Sequence, residues 1–282
     1  MSYKTILVHV DESTHVGARI TVAGKIANVE GAHLVGVAMT GIERFLEQAV
    51  SVNPDNAAMA PYVDTLRKRA KSAVEKFNGM VERIGVLSHE CRLVDDSATD
   101  GFCVQARYAD LVIVGQNDPG EMLFSVGPDF AEFVVMHSHC PTLIIPYERE
   151  PETIGQKILI AWNGSLSAKR SVLGALPLLK NASSVVIVVF RPRLPQMNVD
   201  DEHQHGADLN LFLQRHGVKA TVNEQICSHN GIGIDLLSLA EELHSDTIVM
   251  GCYGHSRFSE MVFGGVSRSV LQSMALPVLM CH

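Results

Sequence analysis

The sequence KTILVHVDES, residues 4–13, returns in altered form as KILIAWNGS at residues 157–165. Both copies have a short apolar run and then a short polar side chain, Asp11 or Asn163, with a serine two positions later. Short runs rich in Val, Ile and Leu are typical of strands buried on both faces of a parallel sheet. The repeated first strand indicates that the chain contains the same folding unit twice.

Two further segments of the first half repeat in the second half. ADLVIVG at 109–115 corresponds to SDTIVMG at 245–251, and CPTLII at 140–145 corresponds to LPVLMC at 276–281. Both pairs are 136 residues apart, whereas the first strands and their turns are 152 apart. The drop from 152 to 136 means that the first half carries 16 additional residues, which we place between residues 40 and 62.

Each half alternates short apolar runs with segments of helical spacing. In the second half, strands are predicted at 157–162, 185–190, 219–227, 247–250 and 277–281, with helices over 167–179 and 232–244. The alternation predicts an α/β fold with two tandem five-stranded, mostly parallel sheets flanked by helices. The expected domains are 1–147 and 156–282, joined by a linker, Glu148–Gln156.

Composition narrows the class of protein. The 282 residues suffice for two domains, and 46% apolar with 19% charged residues can fill two cores. The net charge of −8 and the absence of a basic block argue against a nucleic-acid partner. The first apolar run is too short for a signal or membrane segment, and six scattered cysteines fit a reducing compartment. We therefore expect a cytoplasmic protein without a membrane partner.

Ligand chemistry is expected in the loop GCYGHSRFSEMVFGGVS, residues 251–267, because doubly wound sheets bind ligands beyond the carboxyl ends of their strands. Its glycines allow sharp turns and close approach of a ligand, and the last two open a helix whose unpaired N–H groups favour an anion. Two basic side chains can supply charge for phosphates. The candidate residues are Gly251, Gly254, His255, Arg257, Gly264, Gly265, Val266 and Ser267. The alternative, that these glycines only form turns and close helix–sheet contacts, stays open.

The loop lacks the lysine of a P-loop, and neither first strand is followed by a dinucleotide fingerprint. It resembles the G-x2-G-x9-G-(S/T) pattern of nucleotide-binding universal stress proteins, with Gly251, Gly254 and Gly264 at the glycine positions. The resemblance implies that the second domain binds ATP or a related adenine nucleotide, with Mg²⁺ left open. Asn163 stands where members carry an Asp that contacts the nucleoside, and Gly265 replaces the Ser or Thr.

The resemblance covers both halves and implies the tandem class, with the Rossmann-like, adenine nucleotide alpha-hydrolase-like fold of the family. It also implies a stress-response regulatory role, pairing of the two domains within the chain and a homodimer. We identify no catalytic residues, since the sequence has no nucleophile elbow and no H-E-x-x-H motif. A slow ATPase using the same loop, and a non-nucleotide ligand sensor or interaction module, remain alternatives.

The first half has lost the pattern of the loop. At the offset of 136, the replacements for Gly254, Gly264, Gly265 and Ser267 are Asp118, Pro128, Asp129 and Ala131. A carboxylate repels phosphate and proline lacks an N–H donor, so this domain is expected to bind triphosphate poorly. Its additional segment, 42–50, has an amphipathic helical pattern. Either it caps the edge of the sheet or it forms a lid over an altered, more apolar ligand site.

Other polar residues leave their roles open. Cys227, His229, Cys252 and His255 have the ligand types of a tetrahedral zinc site, but cysteines also serve as small buried apolar residues. We therefore predict no metal site. His203 and His205 are expected in a solvated polar loop. Trp162 ends a strand beside Asn163, where it belongs either to the core or to an adenine pocket.

Overall fold

The structure is a computed structural model that describes residues 2–50, 59–96, 98–121, 125–191, 199–252 and 265–282; for 47–50 and 199–205 it describes the backbone alone. The chain divides into two compact units, Ser2–Tyr147 and Glu148–His282, called the first and the second unit below. In the described residues, no helix is both long and apolar enough to cross a membrane.

The first unit is a parallel sheet with strand order β3-β2-β1-β4-β5. Its elements are β1 (Thr5–Val10), α1 (Val16–Glu30), β2 (His33–Met39), α2 (Ile42–Val50), α3 (Ala60–Ile84), β3 (His89–Val94), α4 (Ala98–Ala106), β4 (Leu111–Gly115), α5 (Phe130–His137) and β5 (Thr142–Ile145). Strand β1 lies between β2 and β4, so the order reverses there and a crevice opens beyond the carboxyl ends of β1 and β4.

The second unit repeats the arrangement with strand order β10-β9-β6-β7-β8, again parallel. Its elements are β6 (Lys157–Ala161), α6 (Leu166–Asn181), β7 (Ser184–Arg191), α7 (Val199–Arg215), β8 (Thr221–Ile226), α8 (Ile232–Glu242), β9 (Thr247–Gly251), α9 (Gly265–Ser273) and β10 (Val278–Cys281). Here the order reverses between β6 and β9. The predicted α/β fold with two five-stranded sheets is therefore confirmed.

The central strands supply the core of each unit. In β1, the side chains Ile6, Leu7 and Val8 are at most 1% exposed, and those of the matching strand β6 are buried alike. Helices cover both faces of each sheet, which is why these strands are apolar on both sides. Edge strands β3 and β8 have mostly half-buried or exposed residues and correspondingly polar sequences.

One prediction about the second unit is wrong. His203 and His205 do not lie in a loop, because residues Val199–Arg215 form helix α7. The helix is anchored by Leu209 and Leu213, which lie one turn apart and are 5% and 0% exposed. The first half of α7 is polar, so the composition of the segment does not reveal this short apolar stripe.

Candidate functional site

The turn after β6 leads directly into the first turn of α6. Asn163 Oδ1 accepts the amide of Ser165 at 3.1 Å, and Ser165 Oγ accepts the amide of Ala168 at 3.2 Å as the N-cap of α6. Gly164 between them has φ of 72°, a conformation that favours glycine. Asn163 itself is exposed at the carboxyl edge of the sheet. The turn thus presents an amide side chain beside a helix N-terminus.

Gly251 ends β9 directly against this helix. A Cβ at Gly251 would lie 2.7 Å from the Oγ of Ser167 and closer still to the amide nitrogen of Ala168. Gly251 does not have a positive φ, so the close approach of α6, and not a turn, requires a glycine at this position. For this position the structure favours the interpretation as a close helix–sheet contact.

Helix α9 begins at Gly265, as the glycine pair predicts. The first amides of a helix have no partner within the helix, so they are available to an anion. Gly265 is exposed and Val266 half-buried, whereas Ser267 is only 5% exposed. The hydroxyl of Ser267 therefore belongs to the interior. The remaining candidates Gly254, His255, Arg257 and Gly264 lie outside the described residues.

Trp162 is the last residue before this turn, and its amide donates to Val188 O at 2.9 Å. The side chain is half-buried, and its indole Nε1 is buried without a hydrogen-bond partner among the described residues. Buried indole N–H groups usually find an acceptor. The sequence left Trp162 undecided, and the structure gives it an unused donor next to Asn163.

The described residues do not support the zinc quartet. Cys252 is buried, and its thiol donates to Cys281 O at 3.2 Å. Burial raises the pKa of Cys252 to about 12, so without a metal ion the thiol stays protonated. In the described part of the chain, Cys227 and Cys252 do not fall in any group of three or more metal-ligating side chains. His255 lies outside the described residues.

The corresponding crevice of the first unit contains a cavity of about 340 Å³. It lies beyond the carboxyl ends of β1, β4 and β5, and Arg44 of helix α2 forms part of its wall. This observation favours the second interpretation of segment 42–50, since α2 contributes to a ligand-sized space. Arg44 Nη1 is buried without a hydrogen-bond partner among the described residues.

A buried ion pair forms the base of this cavity. Arg19 of α1, 4% exposed, donates from Nη2 to Asp11 Oδ1 at 2.5 Å and to Ser13 Oγ at 3.1 Å. Its guanidinium lies against Gly115, where a Cβ would collide with Nη1. Asp11 also accepts the amide and the hydroxyl of Ser13 at 3.0 and 2.6 Å. All three bonds end on Oδ1, and Asp11 Oδ2 lies 3.4 Å from His9 Nδ1.

Burial and charge act in opposite directions on the titrating groups of this cavity. Burial by itself raises the pKa of Asp11, but the charges of Arg19 and His9 and the Ser13 hydrogen bonds outweigh it and lower the pKa to about 2. Burial lowers the pKa of His9 to about 4, against the attraction of Asp11. Asp11 is thus a carboxylate and His9 a neutral imidazole at neutral pH.

Sequence reasoning missed Arg19. At the offset of 152 it corresponds to Ser171, whose hydroxyl donates to Met250 O at 2.7 Å and accepts the amide of Cys281 at 2.9 Å. A signal was present, since Arg19 stands between Ala18 and Ile20 on a helix with an otherwise apolar buried face. An arginine in such a position needs a buried partner, and Asp11 is the acid that directly follows the buried first strand.

Comparisons with known proteins bear on the fold and on the family. The model of the universal stress protein family matches residues 155–282. A universal stress protein from Archaeoglobus fulgidus has a similar structure at 16% identity, with coverage of 98% of this chain and 97% of that one and a TM-score of 0.71. A functionally unknown protein from Pseudomonas aeruginosa PAO1 is similar at 18% identity, 98% and 92% coverage and a TM-score of 0.59.

A shorter match involves a universal stress protein from Archaeoglobus fulgidus in complex with dAMP, at 18% identity. It covers 41% of this chain and 82% of that one, with a TM-score of 0.29. A search of curated proteins finds no significant match. The family model thus covers residues 155–282, and the fold of a universal stress protein is shared over 98% of this chain.

Proposed function

We propose that the second unit binds one adenine nucleotide, ATP, in the loop 251–267, and that the bound state is a regulatory signal read by partner proteins. The observation that carries this proposal is the glycine pattern of this loop, which joins β9 to α9 at the point where the strand order reverses. The homodimer, the cytoplasmic location and the domains 1–147 and 156–282 belong to the same proposal.

Phosphate binding rests on the start of α9. The helix has nine residues and begins with Gly265 and Val266, neither of which brings a side chain that can block its first amides. These amides carry partial positive charge and suit an anion. Because Ser267 is buried and Gly265 has no hydroxyl, backbone N–H groups supply most of the phosphate contacts in this proposal.

Nucleoside binding rests on the turn after β6. Asn163 is exposed and uses its Oδ1 on the amide of Ser165, which leaves its NH₂ group for a ligand. The unpartnered indole Nε1 of Trp162 is one residue away. Both groups lie at the same edge of the sheet as Gly251 and are matched to a polar, neutral ligand surface such as a ribose or an adenine edge.

The first unit is expected not to bind ATP. Its counterpart of Asn163 is Asp11, and this carboxylate already accepts hydrogen bonds from Arg19 and Ser13. Asp118 brings negative charge to the position of Gly254, and Pro128 removes an amide donor near the start of α5. One nucleotide per chain is therefore the expected stoichiometry.

Titration calorimetry of the full chain with ATP, ADP and AMP tests the proposal. We expect one ATP per chain, with the affinity at least tenfold weaker in Gly254→Ala because a Cβ is added where the loop meets the ligand. Gly79→Ala is the matched control, since a Cβ at Gly79 meets nothing within 4 Å. The absence of ATP binding to the unmodified chain, or equal affinity in all three proteins, would refute nucleotide binding in this loop.

A second measurement separates a regulator from an enzyme. We expect the unmodified full chain to hydrolyse radiolabelled ATP no faster than the Gly254→Ala variant does. Hydrolysis that this substitution abolishes would instead favour the slow ATPase.

A further inference from the structure

Three side chains that can ligate a metal meet on the wall of the cavity of the first unit. They are His15, in the loop before α1, and Asp118 and Glu121, in the loop after β4. One ligand atom of each lies within 4.8 Å of the others, and His15 Nε2 is 3.2 Å from Asp118 Oδ2. All three are half-buried, so their ligand atoms remain accessible.

No arginine or lysine of the described residues forms an ion pair with either carboxylate of this group, although Arg19 and Arg44 line the same cavity. Among the ion pairs of the described residues, Asp118 has one basic partner, His15, and Glu121 has none. Asp118 Oδ1 accepts the amide of Gly120 at 2.7 Å, and Glu121 Oε1 accepts the amide of Thr14 at 2.9 Å. Two carboxylates that are held close together by such bonds attract a cation.

The second unit has the opposite chemistry at the same three positions. The offsets of 152 and 136 align His15 with Ser167, Asp118 with Gly254 and Glu121 with Arg257. Hence a glycine and an arginine, which suit an anion, stand where the first unit has two carboxylates. At these aligned positions the first unit therefore has residue types that suit a cation and the second unit has residue types that suit an anion.

The interior of the cavity points independently to an occupant. Arg19 and His9 line it and are 4% and 1% exposed, and Arg19 Nε and His9 Nε2 have no hydrogen-bond partner among the described residues. Buried polar atoms of this kind are rare unless a water, ion or ligand satisfies them. Water or anion ligands carried by a metal at the cavity mouth are suitable partners.

We propose that His15, Asp118 and Glu121 bind one divalent transition-metal ion in the first unit and leave coordination positions open toward the cavity. One imidazole and two carboxylates suit Zn²⁺ and Mn²⁺, whereas Mg²⁺ and Ca²⁺ favour sites made of oxygen ligands alone. By the general order of metal affinities, Zn²⁺ binds more tightly than Mn²⁺.

Titration of the metal-depleted, nucleotide-free full chain with MnCl₂ and with MgCl₂ tests the proposal. Mn²⁺ is the main probe because the cysteines of the chain are soft ligands that would bind Zn²⁺ elsewhere. We expect one Mn²⁺ per chain, bound at least tenfold more tightly than Mg²⁺. Asp118→Asn and His15→Gln are expected to weaken Mn²⁺ at least tenfold, and added Zn²⁺ should displace Mn²⁺.

The matched control is Asp129→Asn, which removes an exposed carboxylate from the same connection between β4 and α5. This variant should bind Mn²⁺ as the unmodified chain does. The proposal is wrong if the unmodified chain binds no Mn²⁺, or if Asp118→Asn and His15→Gln bind Mn²⁺ as tightly as the unmodified chain does. Circular dichroism of each variant shows that it is folded. Because ATP is absent, this outcome is independent of nucleotide binding in the second unit.

Discussion

The two units place different chemistry on equivalent positions of one fold. In the second unit Asn163 is exposed and its partner position holds Ser171, a neutral side chain bonded to the backbone of β9 and β10. In the first unit the same two positions hold Asp11 and Arg19, which form a buried ion pair. The polar group after the first strand is therefore exposed in the unit with serine on the helix, and buried in an ion pair in the unit with arginine there.

The consequence for ligand binding follows from the exposure of the two side chains and from the hydrogen bonds that each already makes. Asp11 Oδ1 accepts from Arg19 and Ser13, Oδ2 lies 3.4 Å from His9 Nδ1, and the side chain is only 2% exposed, so little of the carboxylate is open to a nucleoside. Asn163 Oδ1 accepts the amide of Ser165, and its side-chain NH₂ group stays available as a donor. The unit that carries the charged residue is therefore the one expected not to bind a nucleotide, and its charge contributes to the fold.

The largest effect is expected from Asp11→Asn in the first unit. This change leaves the buried Arg19 guanidinium without its counter-charge, which costs about 3–5 kcal/mol in the free energy of unfolding. Asn163→Ala, the equivalent change in the second unit, removes one exposed hydrogen bond and should cost about 1 kcal/mol or less. Hydrogen exchange of the amides in β1 and β6, without nucleotide, measures the two units separately.

The double variant Asp11→Asn with Arg19→Met is the control for this prediction. Removing both charges should recover most of the lost stability, because no unpaired charge remains in the interior. Equal costs for Asp11→Asn and Asn163→Ala would show that the ion pair contributes nothing that distinguishes the units.

The sequence predicted the two repeated units, but it did not predict the buried ion pair that distinguishes them. The repeated strands and the alternation with helices predicted both sheets, because buried parallel strands are apolar over their whole length. The start of α9 at Gly265 also followed from local chemistry. Arg19 was missed because a single arginine in a helix is usually solvated, and only the tertiary structure shows that it points toward Asp11.

The other omissions have the same physical origin. His15 and Asp118 are separated by 103 residues, so no local spacing connects them, and only the parallel arrangement of β1 and β4 brings them together. Helix α7 was missed because Leu209 and Leu213 are a short apolar stripe in a polar segment. Long-range pairing and burial by neighbouring elements are absent from any window of the sequence.

The second effect in size is a pH dependence that only the first unit should show. The folded-state pKa of His9 is lowered from 6.5 to about 4, so between these values the unfolded chain binds a proton that the folded unit does not. Stability is therefore complete above pH 6.5 and falls as the pH is lowered to 4, by about 3 kcal/mol at 1.4 kcal/mol per pH unit. The equivalent residue of the second unit is Ala161, which cannot titrate.

Hydrogen exchange of β1 and β6 between pH 7 and pH 4.5, corrected for the intrinsic exchange rates, measures this difference. His9→Gln should remove most of the pH dependence of β1, and His33→Gln, a change at a half-buried histidine, should leave it intact. If β1 and β6 lose stability in parallel, or if His9→Gln changes nothing, burial of His9 is not the cause. Asp11 titrates in a lower window, between its ordinary pKa and about 2, and does not contribute above pH 4.5.

The smallest effect is a difference of about 2 kcal/mol between alanine substitutions of the two glycines that end β4 and β9. A Cβ at Gly251 would collide with the backbone of the first turn of α6, so Gly251→Ala must displace the helix and should cost about 3 kcal/mol, at the upper end for overpacking. A Cβ at Gly115 would meet the end of the Arg19 side chain, which can move aside at a cost of about 1 kcal/mol. Hydrogen exchange of β4 and β9 in the two variants measures this ratio. Equal costs for Gly251→Ala and Gly115→Ala would mean that the ion pair with Asp11 keeps the Arg19 side chain from moving aside. Because displacement of α6 also moves the turn at Asn163, loss of ATP affinity in Gly251→Ala would report a shifted helix, whereas Gly254→Ala reports the loop itself.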